Sequence, residues 1–165
     1  MINVENFISQ NITNRTESFF KVDIDNNHSK FVKAIENKSV LVIGGAGSIG
    51  SSFIKALLIY KPKRLYVIDF NENGLTELTR DLRSTHNLFI PKEYKTYPIN
   101  FDDPIFDRIL DKEGPFDIIA NFAALKHVRS EKDAYSVAAL LDNNVIKAEK
   151  FLAKLILRPP KHFFG

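Results

Sequence analysis

With 165 residues, 44% of them hydrophobic and 26% charged, the chain is long enough to bury one sizeable core and has the composition of an ordinary globular domain. Its formal net charge of +3 comes from lysines and arginines mixed with acids, and its 14 phenylalanines fall mostly at periodic apolar positions, so the footprint of a nucleic-acid binder is missing. No apolar run approaches the ~20 residues of a membrane span, and without cysteine there is neither a disulfide framework nor a thiolate metal site.

The first residues, MINVENFISQNITNRTE, lack the basic and apolar regions of a secretory leader, which makes the cytoplasm the expected compartment. Residues 1–38 read as a polar, asparagine-rich extension. One helix is expected in it, over 28–37 (HSKFVKAIEN), where Phe31, Val32 and Ile35 share a face behind Asn27 as the cap. The extension either packs on the rest of the chain or serves assembly.

From residue 39 the punctuation becomes regular. SVLVI (39–43) is a continuous β-branched run, as in a strand buried on both faces of a parallel sheet. After a glycine loop, Ile49, Phe53, Ala56, Leu57 and Tyr60 recur at helical spacing until Pro62 closes the helix. RLYVID (64–69) predicts a second strand, and ENGLTELTRDLRS (72–84) an amphipathic helix with Leu75, Leu78 and Leu82 on one stripe. YKTYPIN (94–100) reads as a weaker third strand. PIFDRILDK (104–112) is a helix with proline in its first turn, and FDIIANFA (116–123) a fourth strand. A helical pattern from Glu131 to Leu157 breaks near Asp142–Asn144 and stops at Pro159-Pro160, after which KHFFG (161–165) begins a fifth strand. Strands and helices alternating at this interval predict an α/β domain over 39–165. Its sheet is a Rossmann-type doubly wound parallel sheet of order 3-2-1-4 with an incomplete fifth strand.

The loop after the first strand, Gly44-Gly45-Ala46-Gly47-Ser48-Ile49-Gly50, fits two spacings at once. Gly45, Gly47 and Gly50 make GxGxxG; Gly44, Gly47 and Gly50 make GxxGxxG. Either lets the chain turn off a strand, approach a pyrophosphate with its backbone and pack the following helix closely. That helix then offers unpaired N–H groups and a positive dipole end to phosphate. An ordinary strand-to-helix turn would explain the glycines alone. Asp69, 19 residues after Gly50 at the end of the second strand, is either a solvated strand-end acid or a carboxylate that accepts hydrogen bonds from ribose hydroxyls and repels a 2′-phosphate; a buried strand before the loop and an amphipathic helix after it favour the second. The constellation predicts dinucleotide binding, with NAD preferred over NADP; no arginine follows Asp69, where Phe70 and Asn71 stand.

Two further strand ends bear on the site. In Asn100-Phe101-Asp102-Asp103 a polar group reaches the adenine edge, or Asp102 or Asp103 simply caps the helix that starts at Pro104. In Asn121-Phe122-Ala123-Ala124-Leu125-Lys126-His127-Val128 the small residues let the backbone run beside a cofactor. Lys126 and His127 either face an anionic substrate or lie on the surface. No metal-ligand cluster is expected.

VLVIGGAGSIGSSF (40–53), LYVIDFNENGLTELTRDLRS (65–84) and AALKHVRSEKDAYSVAALLDNNV (123–145) resemble the extended short-chain dehydrogenase/reductase superfamily. More narrowly they resemble the bacterial polysaccharide-biosynthesis group of nucleotide-sugar 4,6-dehydratases and epimerases. The resemblance covers about residues 40–165 and is weak over 1–38. It implies that Gly44, Gly47, Ser48, Ile49 and Gly50 contact the NAD(P) pyrophosphate. Asp69 with Asn71 or Asn73 would hold the adenosine ribose, and Asp102 would lie near adenine. Ala123, Ala124 and Lys126 would line the nicotinamide-ribose and substrate side, and Asn144 matches the Asn-Val position of the next helix. It further implies a nucleotide-diphosphate sugar as substrate, a homo-oligomer, and chemistry that begins with oxidation at sugar C4.

The chain departs from that pattern twice. Arg129 stands where the group carries proline after Lys-His-Val, and the group's Ser/Thr-Asp-Lys and Tyr/Met-x-x-x-Lys segments would follow Gly165. Ala139, not lysine, stands four residues after Tyr135, so no such pair lies within the sequence. The expected role is therefore the cofactor-binding part of such an enzyme, with no catalytic residue of its own and only supporting roles for Lys126 and Asn144. The alternatives are a stand-alone dinucleotide-binding regulatory module or pseudo-enzyme, and a reductase acting on a non-sugar substrate.

Overall fold

A computed structural model describes residues 4–15, 17–126 and 133–165. The strands are β1 (Ser39–Ile43), β2 (Arg64–Ile68), β3 (Glu93–Tyr97), β4 (Ile118–Asn121) and β5 (His162–Phe164). They form one all-parallel sheet in the order β3-β2-β1-β4-β5, the order expected from the alternation. The register runs Tyr94–Leu65–Val40–Ile118–His162 across the sheet.

The period-2 alternation of strand side chains sorts the core into two layers. On one face Val40, Val42, Leu65, Val67 and Ile118 meet α3 (Ser48–Leu58) and α4 (Glu72–Ser84) through Ile54, Leu57, Leu58, Leu75, Leu78 and Leu82. On the other, Leu41, Ile43, Tyr66, Ile68 and Ile119 meet α5 (Pro104–Glu113) and α7 (Lys147–Leu157) through Phe106, Ile109, Phe151 and Leu155. Helices on both faces are what right-handed crossovers between parallel strands require.

At the N-terminal edge of the sheet Asp117 ties three strand starts together. Its Oδ2 accepts from the Ser39 N–H at 2.9 Å and the Ser39 hydroxyl at 2.8 Å, and its Oδ1 lies 2.8 Å from Lys161 Nζ. Burial pushes this carboxyl up, but Lys161 and Ser39 together outweigh that and hold it well below the usual carboxylate range.

Several boundaries differ from the sequence reading. The buried face of α3 is Gly50, Ile54, Leu57 and Leu58, whereas Ile49, placed on the buried stripe by spacing, is 63% exposed. The close approach of Gly50 to the loop before it fixes which face turns inward. β3 ends at Tyr97 because Pro98 has no N–H to continue the ladder. The long C-terminal helix starts at Ala134, capped by Asp133 Oδ1 accepting from the Ser136 N–H at 2.7 Å; Glu131, its expected start, lies outside the described residues. The expected break is real but takes the form of a π-helical turn, Asp142–Ile146, between α6 (Ala134–Leu141) and α7.

The chain divides into two units, Met1–Ala34 and Ile35–Gly165. In the first lie α1 (Val4–Asn11) and most of α2 (Lys21–Ile35). α2 begins seven residues before the expected start at 28. Asn27 is interior rather than a cap, its amide donating to the Asp23 carbonyl at 2.8 Å, and Lys21 pairs with Asp25 at 3.4 Å. Asn and Asp favour caps and turns by propensity; here i,i+4 contacts carry them into the helix. Among the described residues no helix is long and apolar enough to cross a membrane.

Candidate functional site

The glycine loop leaves β1 with Gly44 at φ +73°, a left-handed conformation that disfavours any side chain. Its N–H donates to the Ile68 carbonyl at 2.8 Å. A Cβ on Gly44 would run into the Phe122 and Ala123 backbone, so the first turn can graze the end of β4 only as glycine. A Cβ on Gly50 would meet the Gly44 carbonyl oxygen and, at 2.8 Å, Gly45 Cα; this glycine sets the helix against the loop. Gly47 is different: its Cβ would find only the Gly44 oxygen, at 3.4 Å, with otherwise open space. Turn, open approach and tight packing thus fall on Gly44, Gly47 and Gly50. The GxxGxxG spacing carries the three roles, while Gly45 backs onto Val67.

Gly47 is also the N-cap of α3, and no side chain caps that end. By contrast Asn71, Asp103 and Asp133 cap α4, α5 and α6 with side-chain oxygens. The first loop-to-helix bond is Ser51 N–H to the Gly47 carbonyl at 2.9 Å. Ser48 and Ile49 therefore present first-turn N–H groups at the positive end of the helix.

Beside this loop opens a cleft of about 430 Å³ at the C-terminal ends of β1 to β4, where open α/β sheets place ligands. Gly44, Gly47, Asp69, Asn71, Ala123 and Ala124, all expected at the site, line it. Asp69 is 9% exposed. Its Oδ2 accepts from the Ala46 N–H and its Oδ1 from the Asn71 N–H, each at 2.9 Å. The carboxylate thus couples the glycine loop to the β2–α4 turn, and each oxygen keeps lone-pair capacity for a further donor.

Of the other expected residues, Ser48, Ile49 and Gly50 form the first turn of α3. Asn73 is exposed on α4 and Lys126 on the loop after β4; neither lines the cleft. At the end of β3, Asn100 lines the cleft. Asp103 caps α5, accepting from the Ile105 N–H at 2.8 Å, and Asp102 pairs with Lys147 at 2.8 Å instead of lining the cleft. The hydrogen bond to Asp102 raises the Lys147 pKa, with Asp142 3.5 Å away adding to it. His127 and Arg129 lie outside the described residues.

Asn144, in the π-helical turn, clamps the loop after β4 at two points: its Oδ1 accepts from the Leu125 N–H at 2.8 Å and its Nδ2 donates to the Leu125 carbonyl at 2.9 Å. Neighbouring Asn143 lines the cleft and donates to Asn144 Oδ1 at 2.9 Å. Sequence reasoning passed over Ala46, Phe70, Phe101 and Asn143 as lining residues. A signal existed for Phe70, an aromatic directly after the strand-end acid, and for Asn143, inside the polar break of a helical pattern.

A family model described as polysaccharide biosynthesis protein matches residues 40–158. The uncharacterized membrane protein MJ1061 of Methanocaldococcus jannaschii is 36% identical over 93 residues, 56% of this chain and 25% of that protein. The structure of a UDP-N-acetylglucosamine 4-epimerase from Methanobrevibacter ruminantium in complex with UDP-N-acetylmuramic acid superposes with a TM-score of 0.59 at 22% identity. It covers 78% of this chain and 37% of its own. The Bordetella bronchiseptica enzyme WbmF in complex with NAD+ and UDP gives a TM-score of 0.56 at 19% identity, covering 79% and 35%. At these identities the two structures share the fold. The chain spans about a quarter of the length of the curated relative and less than two fifths of either structure.

Proposed function

The chain belongs to the polysaccharide biosynthesis protein family, and from that premise we propose that it is the NAD(P)-binding part of a nucleotide-sugar 4,6-dehydratase or epimerase, with NAD the preferred cofactor. The observation that carries the reading is the pairing of an open Gly47 at an uncapped helix N-terminus with a buried, pre-oriented Asp69 in one cleft. The residues present fit a dinucleotide. The space that a Cβ on Gly47 would fill admits a pyrophosphate, and the N–H groups of Ser48 and Ile49 bond its oxygens. Asp69 accepts from the ribose hydroxyls with the lone pairs that Ala46 and Asn71 leave over. Its charge, with no basic residue following, disfavours a 2′-phosphate.

Ala123 and Ala124, held by the Asn144 clamp on Leu125, carry the backbone past the nicotinamide end, and Lys126 sits on the substrate side. The bound cofactor supplies reversible hydride acceptance, which a dehydratase or epimerase uses at the sugar ring. The substrate class is a UDP-sugar. In this reading residues 39–165 are the cofactor-binding domain, residues 1–38 an extension, and the protein works as a cytoplasmic homo-oligomer.

Calorimetric titration tests the reading. The chain should bind NAD more tightly than NADP, and Gly47→Val should abolish binding without unfolding the protein. Asp69→Asn, nearly isosteric, should narrow the NAD-over-NADP ratio by removing the charge. A wild-type chain that binds neither dinucleotide would refute the proposal, and an unchanged ratio in Asp69→Asn would remove Asp69 from it.

A further inference from the structure

We propose that Phe70 is the stacking platform for the adenine base, so that the base is held chiefly by its face. The inference rests on the cofactor reading above and assigns its adenine end. In the order β3-β2-β1-β4, a dinucleotide with its pyrophosphate at Gly47, after β1, and its ribose at Asp69, after β2, has already run one strand toward β3. The base continues in that direction. What lines the cleft there is Phe70, beside Asp69, and Ile99, Asn100 and Phe101 after β3. Asp102, the carboxylate expected to meet adenine, is committed to Lys147 at 2.8 Å and does not line the cleft. The adenine end is thus mainly apolar, with Asn100 its polar side chain.

Phe70 itself is 76% exposed, while Phe101, Phe106, Phe116 and Phe151 are buried in the core. An exposed ring on a cleft rim leaves apolar surface in water that a flat aromatic ligand would cover. Its backbone is held between two anchored residues. Asp69 is fixed by the Ala46 and Asn71 N–H groups, and Asn71 accepts from the Gly74 N–H at 3.0 Å as the cap of α4. The backbone that carries the ring is therefore fixed at the cleft rim.

The test uses the full chain, titrated with NAD and with ADP-ribose, which carries the adenosine and pyrophosphate without nicotinamide. Phe70→Ala should weaken both ligands equally, by about tenfold or more, the usual scale for losing one base–aromatic stack. Phe70→Tyr should keep wild-type affinity. The ring is exposed, so neither variant should shift the melting temperature by more than about two degrees. The chain has no tryptophan, so Phe70→Trp installs a single indole whose fluorescence ADP-ribose should quench. If the wild type binds NAD and Phe70→Ala binds it equally well, or if the Phe70→Trp emission ignores a bound ligand, the platform is wrong and the cofactor reading survives. If the wild type binds no dinucleotide, both fall.

Discussion

Single side chains in this protein do work at both ends of the sheet, and Asp69 and Asp117 show how differently two strand-end carboxylates can be used. Asp69, at the C-terminal edge, orients two loops through backbone N–H groups and faces the cleft. Asp117, at the N-terminal edge, accepts from Ser39 twice and from Lys161, and does not line the cleft. Its folded pKa lies below that of the unfolded chain, near 4. A depressed carboxyl contributes stability that is complete above the unfolded value and is lost as pH falls through and below it. Wild type should therefore exceed Asp117→Asn in urea midpoint at pH 7, and the gap should begin to narrow below about pH 4 and go on narrowing to the lowest pH at which the midpoint can be read. A gap that stays constant over that window would mean the carboxylate contributes no pH-dependent stability.

At the scale of elements, the π-helical turn between α6 and α7 connects a defect in a helix to the geometry of the cleft. Asp142, Asn143 and Asn144 compete with a helix backbone through their own side chains, which is why the sequence shows a break there. That the break becomes a π turn was not legible, because the compensating bonds come from Leu125, 19 residues earlier. The same limit recurs elsewhere. Strands β1 and β2 and helix α4 could be read nearly residue for residue from apolar runs and the Leu75, Leu78, Leu82 stripe. The choice between the two glycine spacings instead depended on Val67 standing behind Gly45, and the place of Asp102 depended on Lys147. Local pattern specifies elements; contacts across the sequence specify the site. Because Asn144 satisfies both backbone groups of Leu125, Asn144→Ala should cost about 2 kcal/mol, two neutral hydrogen bonds. It should also speed hydrogen exchange of the Leu125 amide far more than that of β1 amides. Unchanged protection at Leu125 would show that the clamp does not hold the loop.

At the scale of the whole molecule, the unit Ile35–Gly165 is a doubly wound sheet with a core of its own. Among the described residues both buried clusters are composed of residues after Ala34, with Ile35 the first that packs against either. In the preceding unit Phe7, Phe19, Phe20 and Val22 are exposed, and no residue of α2 is buried. Cooperative unfolding draws its denaturant sensitivity from the surface exposed, and both buried clusters lie in Ile35–Gly165. A chain of residues 35–165 should consequently unfold in one transition, with an m-value within about 15% of the full-length value and an unshifted midpoint. The cleft lies wholly within this unit, so the shortened chain should also bind NAD with the affinity of the full chain. A shortened chain that unfolds non-cooperatively would show that the first 34 residues complete the fold. One that folds but loses NAD would show that they complete the site.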